Sequence, residues 1–526
     1  MDGPAPDPTT PSARLPPDPR STRWLLLASV FTIATCGIVY ELIAGTLASY
    51  LLGDSVMQFS TVIGVYLFAM GVGSWLSRFV RNDVVGVFIK AELLIGLLGG
   101  FSAFLLFALF EQVASFRVVL YGLVFVIGTL VGLEIPLLLR LLKDELKFED
   151  LVSRVLSLDY IGALAASLLF PLVLVPKLGL MRASFLFGLL NAGVGLLALH
   201  LLRDQLRHPR WLLAGALVIL ALLTGGFVAS ERLQAWTERA AYAENIIYAR
   251  SSRYQRIVLT RQQDDLRLYL NGNLQLSSRD EYRYHEALVH PALSMAPGLR
   301  RVLVLGGGDG CAVREVLRHP AVKSIHLVDL DGEMTRLFAE HPVLQRLNGG
   351  ALASPKVTVE NTDAFTWLEQ AAAAGRTFDA AIVDFPDPSN FSLGKLFSTT
   401  FYQRLRRVLT DEAVIAVQCT SPLVARQSFW CVNETLRASG FATAPYHVYV
   451  PSFGEWGFVL ASPGAGALAV TGPHSLPDGL RFLTPDGLAQ AFSFPPDMAE
   501  LPAGVNRLNN QILVRHFEQE WGRYGQ

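Results

Sequence analysis

Residues 380–388, Ala-Ala-Ile-Val-Asp-Phe-Pro-Asp-Pro, run from four apolar residues into two carboxylates, Asp384 and Asp387, with Phe385-Pro386 between them. Proline has no N–H for a ladder, so Pro386 and Pro388 end the strand and hold both acids on a stiffened loop. Three further acids stand where an apolar run gives way to polar residues. Asp309 lies in VLVLGGGDG (302–310), Asp329 closes HLVD, and Asp363 follows the third such run in ENTDAF. A carboxylate can accept hydrogen bonds from hydroxyls and amines, hold a cation, or take a proton during a reaction. Each acid singly could instead cap a helix or close a turn. Acids at four successive strand ends argue for a shared site.

The elements that must position these acids are readable from the pattern. Apolar strand candidates occur at 301–305, 324–328, 356–360, 378–383, 413–418, 443–450 and 456–461, with helical patterns between most of them. Such alternation predicts an α/β Rossmann-like, doubly wound and mostly parallel sheet, which binds ligands at the carboxyl ends of its strands. Gly306 and Gly308 sit between the first strand and its helix, where bare backbone lets a ligand approach a helix N-terminus. Asp309 within that loop disfavours a pyrophosphate and suits a cationic ligand. Asp329 stands 23 residues after Gly306, a spacing at which an acid accepts from ribose hydroxyls. Asp363 is placed to accept from an adenine amino group. The acids together describe an adenosine pocket that continues into an anionic cavity. Ahead of them, 253–277 alternates apolar and polar residues around turns at 262–265 and Asn271-Gly272, which predicts a small antiparallel sheet, and a helix fits 280–296.

The other half of the chain has a different texture. Of 526 residues 51% are hydrophobic and 17% charged, and the apolar excess falls before about residue 230. Runs of roughly 20 or more apolar residues lie near 23–46, 56–79, 84–110, 116–142, 154–176, 178–202 and 211–229, each of bilayer-crossing length. The expected organisation is a disordered, proline-rich tail (1–22), a transmembrane domain of seven helices (23–230), a small β-sheet subdomain (240–280) and a Rossmann-like domain (281–526). Glu41, Lys90, Glu92, Glu134 and Asp159 lie inside the apolar runs. Intramembrane charge costs several kcal/mol, so these residues line an amine or proton path, pair between helices, or lie close enough to the interface to be hydrated. The glycines of GVGS (71–74) and Gly162 suit close helix packing. Four cysteines show neither a CxxC pair nor zinc spacing, so no metal is expected, and a net charge of −1 gives no sign of a nucleic-acid partner.

SRYQRIVL, LYLNGNLQLSSRDEYRYHEAL, VLVLGGGDG, AFTWL after Asp363 and the Asp-x-x-Asp-Pro of DFPDP, in this order, resemble the spermidine synthases, the polyamine aminopropyltransferases, over about residues 250–462. The apolar half resembles the membrane-integral members of that family. The resemblance implies transfer of an aminopropyl group from decarboxylated S-adenosylmethionine, a co-substrate rather than a permanently bound cofactor, to putrescine or a related amine, with release of methylthioadenosine. It implies that Gln255 and Asp329 hold the nucleoside and that Asp363 and Ala364 hold its base. His285, Asp309 and Asp387 would bind the polyamine, with Tyr284, Gln418 and Phe453 lining its channel. Asp384 would accept the proton. The chain departs from the family in having Phe385-Pro386 between the paired acids, Phe391 where a proline is usual, and Gly310-Cys311 in place of a second glycine pair.

A primary amine is protonated at neutral pH and has no lone pair for attack. One carboxylate can take that proton as nitrogen attacks the carbon beside the sulfonium, and a second can grip the amine's far end. An S-adenosylmethionine-dependent methyltransferase would share Asp329 and Asp363 without needing Asp309, Asp384 and Asp387 together. A membrane transporter or sensor would bind polyamine without turnover, and an amine-bearing lipid is a further acceptor. The expected partners are an amine, the lipid bilayer and a second copy of the chain in a homo-oligomer, and the expected location is the cell membrane. Donor supply places the catalytic domain in the cytoplasm, whereas with seven crossings the loop arginines and lysines place it outside.

Overall fold

The computed structural model describes residues 19–52, 55–110, 113, 115–143, 147–206, 208–241, 244–464, 468 and 476–524. The chain divides into two units, Met1–Ala241 and Tyr242–Gln526. Residues 1–18 of the expected tail lie outside the described residues, and the first helix already begins at Pro19.

The first unit consists of α1 (Pro19–Leu52), α2 (Ser55–Leu76), α3 (Val84–Leu109), α4 (Phe116–Leu142), α5 (Phe148–Leu169), α6 (Val175–Leu201) and α7 (Pro209–Ala241). Among the described residues six helical stretches are long and apolar enough to cross a bilayer, and one of them, Glu149–Leu201, holds two of the seven expected runs. The runs at 154–176 and 178–202 join into one stretch, Glu149–Leu201, of 53 residues. A π turn, Phe170–Leu174, links α5 to α6, and Gly179 leaves helical geometry at φ 73°, ψ 170°. Pro176 does not end the helix because it falls just after the π turn, where the i→i−4 ladder is already interrupted. At 1.5 Å per residue the stretch is roughly 80 Å long, more than twice a bilayer core. Its break at Gly179, not its length, therefore sets how its arms run. Small residues let the helices touch. A Cβ on Gly73 would overlap the Thr129 carbonyl oxygen, and one on Gly162 would crowd that of Phe31, so the absence of a side chain sets how close these helices come.

The second unit opens with four antiparallel strands in sequence order, β1 (Asn245–Ser251), β2 (Arg256–Gln262), β3 (Asp265–Leu270) and β4 (Asn273–Ser277). Asn271 and Gly272 both take positive φ in the β3–β4 hairpin, as a two-residue primed turn requires. Strand β1 escapes the sequence pattern because it pairs only along the sheet edge and buries no residue fully.

Helix α8 (Glu281–Met295) leads into β5 (Arg301–Gly306), α9 (Cys311–Leu317), β6 (Ser324–Asp329), α10 (Gly332–Glu340), α11 (Pro342–Leu347), β7 (Val357–Asn361), α12 (Ala364–Ala373), β8 (Phe378–Asp384), β9 (Leu409–Gln418), β10 (Ala442–Val450) and β11 (Gly454–Ser462). The seven strands stand in the order β10-β11-β9-β8-β5-β6-β7. Strands β5 to β9 pair in parallel, and β11 is antiparallel to both neighbours. The antiparallel edge follows from chain length, because the three residues between Val450 and Gly454 cannot make the crossover a parallel pair needs. Val302–Leu305 and Ala380–Val383 are wholly buried, the continuous apolar run of a sheet covered on both faces. Register then fixes the site: Gly306 pairs with Asp384 and Leu305 with Val328, so Asp384, the glycine loop and Asp329 share one edge.

Candidate active site

The glycine loop is shaped for that edge. Gly306, Gly307 and Gly310 all take positive φ, and a Cβ on Gly306 would strike the Asp384 carbonyl oxygen. Gly308 is needed for close approach, since a Cβ there would stand 2.8 Å from the Asp329 carboxylate. Its N–H donates to Asp329 Oδ2 at 3.1 Å, and Asp331 N–H donates to Oδ1 at 2.8 Å. Burial pushes Asp329 up to about 6, with Asp331 and Asp309 adding repulsion. Each of its oxygens keeps a lone pair for a hydroxyl donor.

Gln255, on the turn between β1 and β2, sends Nε2 to Asp331 Oδ2 at 2.9 Å, and Ser252 Oγ donates to the same oxygen at 2.7 Å. Asp331 thereby ties the small sheet to the loop after β6 while capping α10 through Glu333 N–H. Sequence reasoning passed over it, although Asp followed by Gly-Glu ahead of a helical pattern is a cap signal. Asp363 caps α12 through Phe365 N–H at 2.8 Å and accepts from Lys395 Nζ at 2.7 Å. Ala364, the first residue of that helix, is buried beside it. The helix-cap role and the edge position thus coexist in Asp363, and Lys395 is a partner no spacing rule would have named.

The acids at the other end converge around Tyr284 and His285 of α8. Tyr284 Oη donates to Asp384 Oδ1 at 2.6 Å. Burial pushes Asp384 up to about 6; Asp309 adds to this, while His285 and the Tyr284 hydroxyl oppose it. Burial would lower His285, but Glu281 Oε2, 2.8 Å from Nδ1, outweighs that and lifts the imidazole to about 9. Glu281 itself accepts two bonds from Arg314, at 3.0 and 2.9 Å. Burial would raise Glu281, yet His285 and Arg314 hold it below the usual carboxylate range. The Glu281–His285 pair was readable as an i, i+4 contact on one helix face and was missed. Asp309 Oδ1 accepts from Cys311 N–H at 2.7 Å. Glu281, His285 and Cys311 bring their ligand atoms within 4.8 Å of one another. Arg314 occupies both oxygens of that carboxylate, a fixed cation where a metal would need to lie.

Asp387 takes Gln418 Nε2 at 3.3 Å and Thr420 Oγ1 at 3.2 Å, and burial pushes it up to about 7 against those two bonds. Gln418, at the end of β9, also donates to the Phe385 carbonyl and accepts from Thr420 N–H. Phe385 is buried, edge-on to Phe401 at 5.6 Å and Phe397 at 6.3 Å. The Phe-Pro insertion therefore pins the loop to the core and leaves both acids facing the site. Phe453 stands 6.2 Å from the Tyr284 ring, in the β10–β11 turn. The structure thus gathers Tyr284, His285, Asp309, Asp384, Asp387, Gln418 and Phe453 at one end of the strand edge, and Gln255, Gly306, Gly308, Asp329, Asp363 and Ala364 towards the other.

Residues 281–466 match the family model described as "Spermine/spermidine synthase domain". A polyamine aminopropyltransferase of Leptospira interrogans is 53% identical to this chain over 95% of it and 99% of the relative. Polyamine aminopropyltransferase 2 of Ralstonia nicotianae is 56% identical over 94% of this chain and 98% of its own, and polyamine aminopropyltransferase 1 of that organism is 55% identical over 98% and 99%. With identity this high along nearly the full length of each, the chain belongs to the polyamine aminopropyltransferase family.

Proposed function

We propose that this enzyme, a polyamine aminopropyltransferase, uses decarboxylated S-adenosylmethionine as donor and putrescine or a related diamine as acceptor, with Asp384 as the base. The observation that carries the reading is the Asp384 carboxylate, held at the end of β8 by a 2.6 Å bond from Tyr284, with Asp309 and Asp387 near enough to act on the same hydroxyl. Both substrates are cations, and an acid-lined cleft attracts each and offsets their mutual repulsion. The amine nitrogen attacks the methylene carbon next to the sulfonium. As the new C–N bond forms, the C–S bond breaks and its electron pair stays on sulfur, leaving neutral methylthioadenosine. The proton lost from nitrogen goes to Asp384. Asp387, braced by Gln418 and Thr420, grips the distal ammonium. Gln255, Asp329 and Asp363 orient the nucleoside so that the methylene carbon faces the amine.

Purified protein given donor and putrescine should form methylthioadenosine and a lengthened amine in equal amounts. A methyltransferase would instead turn S-adenosylmethionine into S-adenosylhomocysteine, and a transporter or sensor would bind the amine with no product. Either result would overturn the reading.

The helical unit is read as a membrane anchor on the length and apolarity of its helices, with large apolar side chains such as Phe68, Leu172 and Val228 exposed. The supply of donor nucleoside favours the cytoplasmic side for the catalytic unit. Protection of that unit from protease added to intact cells tests the placement.

A further inference from the structure

Thr420, just past the end of β9, holds a backbone conformation that its side chain resists. It stands at φ 63°, in the left-handed region, and is wholly buried. Among the described non-glycine residues with positive φ it is the one β-branched type, for which that region is a true outlier. Backbone bonds on both sides keep it there. Its N–H donates to Gln418 Oε1 at 3.1 Å, and its carbonyl accepts from Gly457 N–H at 2.8 Å. Gly457 comes that close only as glycine, since a Cβ would meet the Phe429 ring at 2.4 Å. The turn brings Thr420 Oγ1 to Asp387 Oδ2 at 3.2 Å. The other neighbour of Oγ1 comes from a distant part of the chain. Trp521 Nε1 lies 3.3 Å away, on the helix Ile512–Tyr524. That helix is outside residues 281–466, the stretch that matches the family domain. It is anchored one residue earlier, at the start of the helix Arg426–Ala438. There Glu520 accepts from the N–H groups of Gln427 and Ser428 at 2.7 and 3.1 Å and from Ser428 Oγ at 2.7 Å.

We propose that Trp521 is a positioning residue for the amine, acting through Thr420 to orient the Asp387 carboxylate that grips the distal ammonium. This role rests on Asp387 being that grip. An indole N–H can only donate, so it takes a lone pair of Thr420 Oγ1 and leaves the hydroxyl proton to point at Asp387. An ionised carboxylate can only accept, and the three groups form one directed chain. At 3.2 and 3.3 Å both bonds sit at the long end of the hydrogen-bond range, so they supply direction more than strength. Thr420 Oγ1 on Oδ2 and Gln418 Nε2 on Oδ1, the latter at 3.3 Å, hold the carboxylate by its two oxygens. Each oxygen keeps a lone pair for an ammonium. The same two bonds oppose the rise to about 7 that burial gives Asp387, and they favour the charged form that attracts a cation.

The test uses the full chain, purified in detergent and assayed at pH 7 with saturating donor and varied putrescine. Trp521→Phe keeps a packed ring and removes the N–H. Thr420→Val keeps the branched shape and removes the hydroxyl, and Thr420→Ser restores it. A hydrogen bond between neutral groups is worth a factor of about 2–10, and one to a charged group about tenfold or more. The Michaelis constant for putrescine should therefore rise about threefold in Trp521→Phe and about tenfold in Thr420→Val, and return to within about twofold of the parent in Thr420→Ser. Saturated turnover and methylthioadenosine affinity should stay within about twofold of the parent in all three, a split that mere loosening of the fold would not give. The double variant should match Thr420→Val alone, because Trp521 acts through that hydroxyl. A Michaelis constant unmoved in both Trp521→Phe and Thr420→Val overturns the proposal. So does an effect of Trp521→Phe that persists undiminished in the double variant, or a matching loss of turnover and nucleoside affinity. Asp387→Asn in the same assay separates the two levels of the reading. If it raises the constant while the other variants do not, only the role of Trp521 falls; if it leaves the constant unmoved, the amine grip falls and this proposal with it.

Discussion

Replacing Asp384 by Asn keeps an oxygen that can accept from Tyr284 Oη and removes the place for a proton. The expected size follows from the carboxyl's surroundings. An alkylammonium ordinarily titrates near 10.4, so an exposed aspartate near 3.9 would take its proton at a cost of about 9 kcal/mol. Asp384, pushed up to about 6 by burial, lowers that cost to about 6 kcal/mol, a gain worth a factor of about 10² in rate. Losing the base altogether should cost about 10²–10⁴ in turnover, or roughly 3–5 kcal/mol of barrier. The measurement is methylthioadenosine formation with donor and amine saturating at pH 8, together with calorimetry for methylthioadenosine. Turnover of Asp384→Asn should fall in that range while nucleoside affinity stays close to the parent's, because the proposed mechanism gives those contacts to Gln255, Asp329 and Asp363. The pH profile gives the sign. The carboxyl must be ionised to accept, and its raised value moves the acid loss from near 4 to near 6. Parent turnover should drop about tenfold per unit below pH 6, and the variant's residual rate should lack that limb. Turnover of the variant within about threefold of the parent would refute the assignment, and a limb persisting near 7 would move the role to Asp387.

Asp387→Asn should raise the Michaelis constant for the amine about tenfold or more while slowing the saturated enzyme far less, since the proposed role of that acid is to grip the amine and not to take the proton; a selective loss of turnover would show that the two acids exchange roles. Asp329→Ala should weaken methylthioadenosine binding by calorimetry more than it weakens polyamine binding, and the reverse order would mean that the nucleoside and amine subsites are exchanged. The helical unit should stay with the membrane pellet through alkaline carbonate and leave only with detergent; release by carbonate would refute the membrane reading.

The acids and the order of strands around them were legible in the sequence because both obey local rules. Apolar runs such as Val302–Leu305 mark strands by composition, and the residue that follows each run must lie at a carboxyl end. Asp384 and Asp329 could be placed there with no knowledge of the third dimension, and Asn271-Gly272 named its own turn. The apolar half announced its helices by length alone. Composition put the boundary between the fifth and sixth runs at residue 177, and the backbone leaves helical geometry two residues later, at Gly179. What only the tertiary structure decided is which residue faces which. Asp331 and Ser252 are 79 residues apart, Lys395 and Asp363 are 32 apart, and Asn191 and Glu92 are 99 apart. No periodicity links such positions, because the contacts depend on crossing angles and register set by the whole core. The shifts that make Asp384 and Asp387 useful have the same origin: a carboxyl's affinity for its proton is fixed by how much water and how many charges the fold leaves around it, and those are sums over elements distant in the chain.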